Sequence, residues 1–183
     1  MDRRQRKTRE AIFCALIDLL AEKEFSQITV EQIIRQADVG RATFYAHFET
    51  KDDLLKQLCQ ELFCHIFDAL EEHKPDHRHI FSCDPPSSVF VHLLQHLLKN
   101  DNRILQLLSS RSSSLFLQYF RENLRHLVAS QLPLFQARKS DRLPEDLWID
   151  HISATFVETV LWWVDQGMTE SPETVAEYFF LLV

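Results

Sequence analysis

Arg41, Ala42, Thr43, Tyr45 and His47 fall in one short run, RATFYAH, which offers hydrogen-bond donors, a small residue and an aromatic, and contains no carboxylate. Side chains of that kind suit a polyanion groove, where donors hold phosphates and an arginine can fork onto a guanine edge. A second concentration of reactive groups lies in HKPDHRHIFSCDPP, with His73, His77, His79 and Cys83. Imidazole and thiolate suit zinc or copper, which makes a metal-sensing loop conceivable. Their spacing matches no zinc motif, and a polar linker with incidental histidines is the simpler reading. The four cysteines, Cys14, Cys59, Cys64 and Cys83, show no zinc-type pairing. Cys59 and Cys64 are five apart, off a common helical face, and read as buried apolar residues. No nucleophile–base pair, phosphate loop or metal signature is present, so the sequence argues against an enzyme and implies no cofactor and no bound metal.

The elements that must position the donor run are two short helices and a corner. Thr29 is a good N-cap, because its hydroxyl can accept an orphan helix N–H. Val30, Ile33, Ile34 and Ala37 then share one helical face. Asp38-Val39-Gly40 breaks the pattern, and either Asp or Gly can take the left-handed conformation of a sharp corner. In the second short helix, Phe44 and Phe48 are four apart and face inward, which turns the donors outward. Arg3–Lys23 reads as a first helix, with Ile12, Phe13, Leu16, Ile17 and Leu20 as its apolar stripe. Phe25 closes this small core. Net charge is −7 overall, yet residues 1–51 hold nine Lys and Arg against eight Asp and Glu, and the rest eleven against nineteen. The basic residues Arg3, Arg4, Arg6, Lys7 and Arg9 can lie along phosphates or form a solvated terminus, while the acidic remainder stays away from a polyanion.

The run ITVEQI, with DVGRATFYAHFETKDDLL four residues later, resembles the helix-turn-helix of the TetR family of bacterial transcriptional regulators. Thr29, Thr43, Phe44, Tyr45, His47, Phe48 and Lys51 stand where the family pattern places such residues, over roughly the first third of the chain. Two positions depart from it: Asp38 stands where the family usually has Gly, and Gly40 where it often has Ser. The resemblance implies a transcriptional regulator, by family default a repressor. It would bind double-stranded DNA as a homodimer at a pseudo-palindromic operator, with recognition helices about 34–36 Å apart. Thr29, Tyr45, His47 and Lys51 would contact phosphates, and Arg41, Ala42 and Thr43 would meet base edges. Tyr45 could instead pack on a thymine methyl, or Tyr45 and His47 could be ordinary surface residues.

Beyond the head, Thr50 can cap a helix carrying Leu54, Leu55, Leu58, Leu62, Ile66 and Leu70 to about Glu72. By resemblance it is the lever between head and body. Further helices are expected from Ser87 or Ser88 to Lys99, at Arg103–Ser110, and from Ser112–Ser114 to about Leu132. Pro133–Pro144 reads as a connection long enough to be mobile. Glu145–Gly167 and a last helix opened by Ser171-Pro172 complete an all-α chain of about nine helices. This divides as a helix-turn-helix domain over 1–50 and a helical effector-binding and dimerisation domain over 51–183. Scarce glycine fits that class. Trp148, Ile152, Phe156, Val160, Trp163 and Val164 nearly encircle the penultimate helix, and Val175, Tyr178, Phe179 and Leu182 run down the last. A helix apolar all round is buried on more than one side. The second side can be one extra core layer or a second subunit, and the resemblance implies a four-helix dimer interface. The stretch FVETVLWWVDQGMTESP further resembles a subgroup whose C-terminal domains end in Trp, Gly and Ser-Pro at similar places.

The resemblance also implies a small apolar or amphipathic effector in the body, with Phe63, Phe67, Phe90, Phe116, Tyr119, Phe120, Phe156 and Trp162 as candidate walls; simple packing is the alternative for each. Control by a protein partner, or by metal or thiol chemistry in the His77–Cys83 loop, is the competing reading. The absence of a run of roughly 18 apolar residues and of an N-terminal apolar stretch leads to the expectation of a cytoplasmic protein with no membrane partner and reduced thiols.

Overall fold

The computed structural model describes residues 3–68, 88–99 and 114–183, and every regular element among them is helical. The head holds α1 (Arg3–Glu22), a 3-10 turn (Phe25–Gln27), α2 (Val30–Gln36) and α3 (Arg41–His47). The body holds α4 (Lys51–Asp68), α5 (Val89–Lys99), α6 (Ser114–Ser130), a 3-10 segment (Leu132–Arg138), α7 (Glu145–Asp165) and α8 (Pro172–Leu182). The expected helix at 103–110, the loop with His73, His77, His79 and Cys83, and the continuation of α4 to 72 lie outside the described residues. No helix among the described residues is long and apolar enough to cross a membrane.

Local chemistry explains where these helices start and stop. The Thr50 hydroxyl accepts the Asp53 N–H at 2.9 Å, and the Asp53 carboxylate accepts the Glu49 N–H at 3.0 Å, so the start of α4 is closed from both sides. Ser171 caps α8 by accepting the Thr174 N–H at 3.2 Å, with Pro172 at the first helical position. The end of α7 closes as a Schellman turn. Gly167, at φ +72°, donates to Val164 O, and Met168 donates to Trp163 O, both at 2.9 Å. The Trp163 indole N–H then reaches Glu170 O at 3.0 Å and fixes the α7–α8 hairpin.

The stripe Ile12, Phe13, Leu16, Ile17 and Leu20 of α1 is buried as its spacing requires. In the body α4 packs on α6, α6 on α7, and α5 and α7 on α8. Phe63 and Phe120 meet edge to face at 5.2 Å across α4 and α6. Phe90 on α5 gathers Phe135, Phe156, Phe179 and Phe180 at 5.1–5.7 Å. Aromatic pairs of this geometry add about 0.5–1.5 kcal/mol each beyond their buried area.

The connection expected over 133–144 is a correction. Its first half is the 3-10 segment, with Phe135 buried against Phe90 and the last helix. Arg138 donates to the carbonyls of Phe180 and Val183 and so caps α8. One aromatic and one cation in a polar stretch hold it to the body.

Candidate nucleic-acid interface

The head presents α3 through three local devices. Thr29 and Gln32 form a capping box, in which the Thr29 hydroxyl accepts the Gln32 N–H at 3.3 Å and Gln32 Oε1 accepts the Thr29 N–H at 3.0 Å. The cap uses the hydroxyl only as an acceptor, so its O–H can still donate to a phosphate oxygen. The chain then turns at Asp38, at φ +52°. Asp38 N–H meets Arg35 O at 3.3 Å and Val39 N–H meets Ile34 O at 3.0 Å, a second Schellman closure. Gly40 caps α3 at φ −75°, so Asp38, and not Gly40, supplies the left-handed corner. A Cβ at Gly40 would meet only Thr43 Oγ1, at 3.8 Å.

Two phenylalanines anchor α3. Phe44 and Phe48 are buried, and Phe48 lies 5.3 Å from Phe13 of α1. That anchoring leaves Arg41, Ala42, Thr43 and Tyr45 in solvent, with Tyr45 48 % exposed and edge-on to Phe44. His47 is half-buried beside the Phe48 ring. The exposed face of α3 carries donors, small methyl-bearing residues and one phenol, and no acid.

The cations divide by role. Lys51 Nζ donates to the carbonyls of Phe25 and Ile28, both at 2.9 Å, and lies 4.4 Å from the centre of the Phe25 ring. Two of its three N–H groups are therefore taken in holding the turn before Thr29, which leaves one for a phosphate. Arg9 donates to Gln57 Oε1 and to Glu61 Oε1, and covers the rings of Phe13 and Phe48 at 4.9 and 5.2 Å. It ties α1 to α4 and is not part of an outer basic run. Arg6 pairs with Glu10 at 3.5 Å. Arg3, Arg4 and Lys7 are exposed and, with Thr8, line a shallow surface groove.

The C-terminal hairpin sorts the residues expected at a subunit interface. Ile152, Phe156, Val160, Trp163, Val175 and Phe179 are buried inside the subunit itself, and Trp148 is buried and stacked on His151. Val164 is half-buried. Tyr178 and Leu182 do face outward. They join Thr155, Glu158, Trp162 and Leu181 along an open, largely apolar groove of about 780 Å³ between α7 and α8. Leu181 is 77 % exposed. Thr155 and Glu158 do not stand out in the sequence because the outward face of α7 is partly polar, and the burial of its other sides hides its period.

The candidate effector walls sort in the same way. Phe63, Phe116 and Phe120 form one buried cluster flanked by half-buried Phe67 and Tyr119. Phe90 and Phe156 belong to a different ring group of the same core, the one around α8. Trp162 stands outside the core, against Tyr178 at 5.8 Å, and cannot line an interior pocket with the others.

Comparison with known proteins matches residues 12–58 to the family described as bacterial regulatory proteins, tetR family. Residues 84–183 match the family described as transcriptional regulator C-terminal region. The solved structure of a TetR transcriptional regulator from Streptococcus agalactiae is 35 % identical, covers 100 % of this chain and 96 % of its own, and superposes with a TM-score of 0.73. FadR from Bacillus subtilis, solved in complex with stearoyl-CoA, shares the fold at 20 % identity and a TM-score of 0.56, over 94 % of this chain and 96 % of its own. Among curated proteins, the uncharacterized HTH-type transcriptional regulator YxbF of Bacillus subtilis is 29 % identical over 98 % of this chain and 45 % of its own length. This chain thus spans less than half of that relative.

Proposed function

The chain belongs to the TetR family of transcriptional regulators, and from that premise we propose that it is a repressor that binds a pseudo-palindromic operator as a homodimer in the cytoplasm. The observation that carries the reading is the acid-free outer face of α3, held out by Phe44 and Phe48. Arg41 reads a guanine edge, Ala42 and Thr43 meet neighbouring bases, and Thr29, Tyr45 and His47 hold phosphates, with Lys51 adding charge beside Thr29. Residues 1–50 form the reading head and 51–183 the dimerising and effector-binding body. The groove between α7 and α8 supports the pairing of two copies, since it exposes Trp162, Tyr178, Leu181 and Leu182 together. A small apolar effector releases the DNA by favouring a body conformation that spoils the spacing of the heads. The fold shared with an acyl-CoA-bound FadR supports that mode of control.

Selection of bound duplexes from a random pool tests the reading. The expected result is an inverted repeat with half-sites one helical turn, or a multiple of it, apart. Arg41→Ala should weaken binding roughly tenfold to a hundredfold and relax preference at one position in each half-site, the about 1–3 kcal/mol of a forked guanine contact. Enrichment of no duplex at low salt overturns the proposal.

A further inference from the structure

Three histidines away from the DNA-facing surface converge between α4 and α5. His65 lies on α4, and His92 and His96 are one turn apart on α5. They are 9, 2 and 3 % exposed. Their ring centres are 4.5 Å apart for His65–His96, 4.8 Å for His92–His96 and 5.1 Å for His65–His92. The Nε2 atoms of His92 and His96 are 3.1 Å apart, and one ring nitrogen from each of the three lies within 4.8 Å of the other two.

Packing alone does not call for imidazoles here. Leu62, Ile66, Leu93 and Leu97, beside them on the same helices, are as deeply buried. Aliphatic side chains at all three places would bury more apolar surface with no polar nitrogen to accommodate. Three ring nitrogens within 4.8 Å of one another are a set that a metal ion can gather. Tetrahedral coordination at about 2.0–2.1 Å per bond places ligand nitrogens roughly 3.3 Å apart. His92 and His96 already sit at that spacing. With a limit of 4.8 Å on the others, the third ring needs to move in by at most about 1.5 Å, within reach of a side-chain rotation. Among the described residues the set is three imidazoles without a carboxylate, which suits a borderline first-row cation and not Mg²⁺ or Ca²⁺.

We propose that His65, His92 and His96 form a three-imidazole site for Zn²⁺, or a divalent cation of the same class, that ties α4 to α5. A fourth position is left for water or another ligand, as in open zinc sites. His65 lies fourteen residues along α4 from Lys51, about 21 Å of helix. Lys51 grips the turn that leads into α2. An ion that fixes the far part of α4 against α5 therefore biases where the head sits, and the ion acts as an input to DNA affinity. That regulatory step rests on the reading of α3 as the DNA-binding helix; the metal site does not.

The test uses the untagged full chain, stripped with chelator and titrated with Co²⁺. The expected result is one equivalent per chain with the visible absorption of tetrahedral Co²⁺, displaced by Zn²⁺, and a higher melting temperature with either ion. His92→Gln and His96→Gln, each with an unchanged circular-dichroism spectrum, should weaken uptake by about 100-fold or more. A chain with His73, His77, His79 and Cys83 all replaced by Ala should keep its equivalent. No stoichiometric uptake, undiminished uptake by both Gln variants, or loss of uptake in the Ala chain overturns the site. Operator binding is then measured with and without Zn²⁺, and a change of at least about fivefold is expected. Full uptake with unchanged DNA affinity overturns the regulatory role, whereas failure to bind any duplex strikes only the reading of α3.

Discussion

Replacing Asp38 tests the corner on which the presentation of α3 depends. Asp38 sits at φ +52° as the residue after the α2 cap, with its own N–H and that of Val39 closing the turn. The left-handed region costs an ordinary L-residue about 1–2 kcal/mol, and Asp somewhat less. Glycine removes that strain but adds back about 0.4–1 kcal/mol of chain entropy in the unfolded state. Asp38→Gly should therefore stabilise the protein by about 0.5 kcal/mol. Asp38→Ala meets the full strain and should destabilise it by about 1 kcal/mol. At about 2–4 °C per kcal/mol for a chain of this size, the two variants should melt about 3–6 °C apart, with wild type between them. Asp38→Asn separates backbone from charge: it tolerates the same conformation, but lacks the negative charge that faces the carbonyl end of α2. It should melt within about 1 °C of wild type. Thermal unfolding followed by circular dichroism at one salt concentration reads all four proteins. If Asp38→Ala melted at or above wild type, the backbone argument would be refuted and charge would be the governing term.

Three further outcomes follow from particular contacts. Leu181→Arg places a charge in the α7–α8 groove at a side chain 77 % exposed in the subunit; subunit stability should change by less than about 0.5 kcal/mol, while sedimentation equilibrium should show dimer dissociation at least about tenfold easier. An unchanged association constant would remove this face from the interface. Lys51→Ala deletes two charge-assisted bonds to Phe25 O and Ile28 O, and should cost about 2 kcal/mol in urea unfolding, with Lys51→Gln recovering part of it; a loss confined to DNA affinity would show that Lys51 acts only on phosphate. Burial in the core, and then the Glu122 carboxylate, hold the Cys59 thiol far above its usual range. Cys14 is raised too, by burial and then Asp18 and Glu10, but is exposed at the surface. A thiol reagent at about pH 8 should therefore label Cys14 and spare Cys59 in the folded protein, read by peptide mass spectrometry. Native-state labelling of Cys59 at the rate of Cys14 would contradict that assignment.

What could be read from the sequence is what depends on near neighbours. Thr29, Thr50 and Ser171 cap the helices they precede, Gly167 ends α7, and Phe44 with Phe48 sets which side of α3 faces out. Each involves residues within about one or two turns, where spacing alone decides geometry. The features that spacing could not show involve partners far along the chain. Lys51 folds back on carbonyls more than twenty residues earlier, and Arg9 reaches Glu61 on another helix. Phe135 looked like part of a polar connection until Phe90 and Phe179 came to meet it. The periodicity of α7 is blurred because most of its sides are buried, so the inward Phe156 and the outward Trp162 look alike in sequence. The His92–His96 spacing was a legible signal of two imidazoles on one face. His65 became their neighbour only through the packing of α4 on α5.

The same long-range contacts explain why α4 can carry information. Arg9 binds Gln57 and Glu61, Gln57 binds Asp53, and Asp53 closes the start of α4 at Glu49, while Lys51 holds the turn before α2. The head and the first eleven residues of α4 are thereby cross-braced and should move as one piece. A tilt of α4 about His65 acts through about 21 Å of helix, so a tilt of about 10° carries the head roughly 3.6 Å. That is about the 3.4 Å rise of one base pair. In a two-fold dimer the heads move in opposite senses, so the spacing changes by about two base pairs against a requirement of about 34–36 Å. On the proposed dimer, a restraint at His65 need therefore select between tilts differing by only about 10° to decide whether both α3 helices would reach their half-sites.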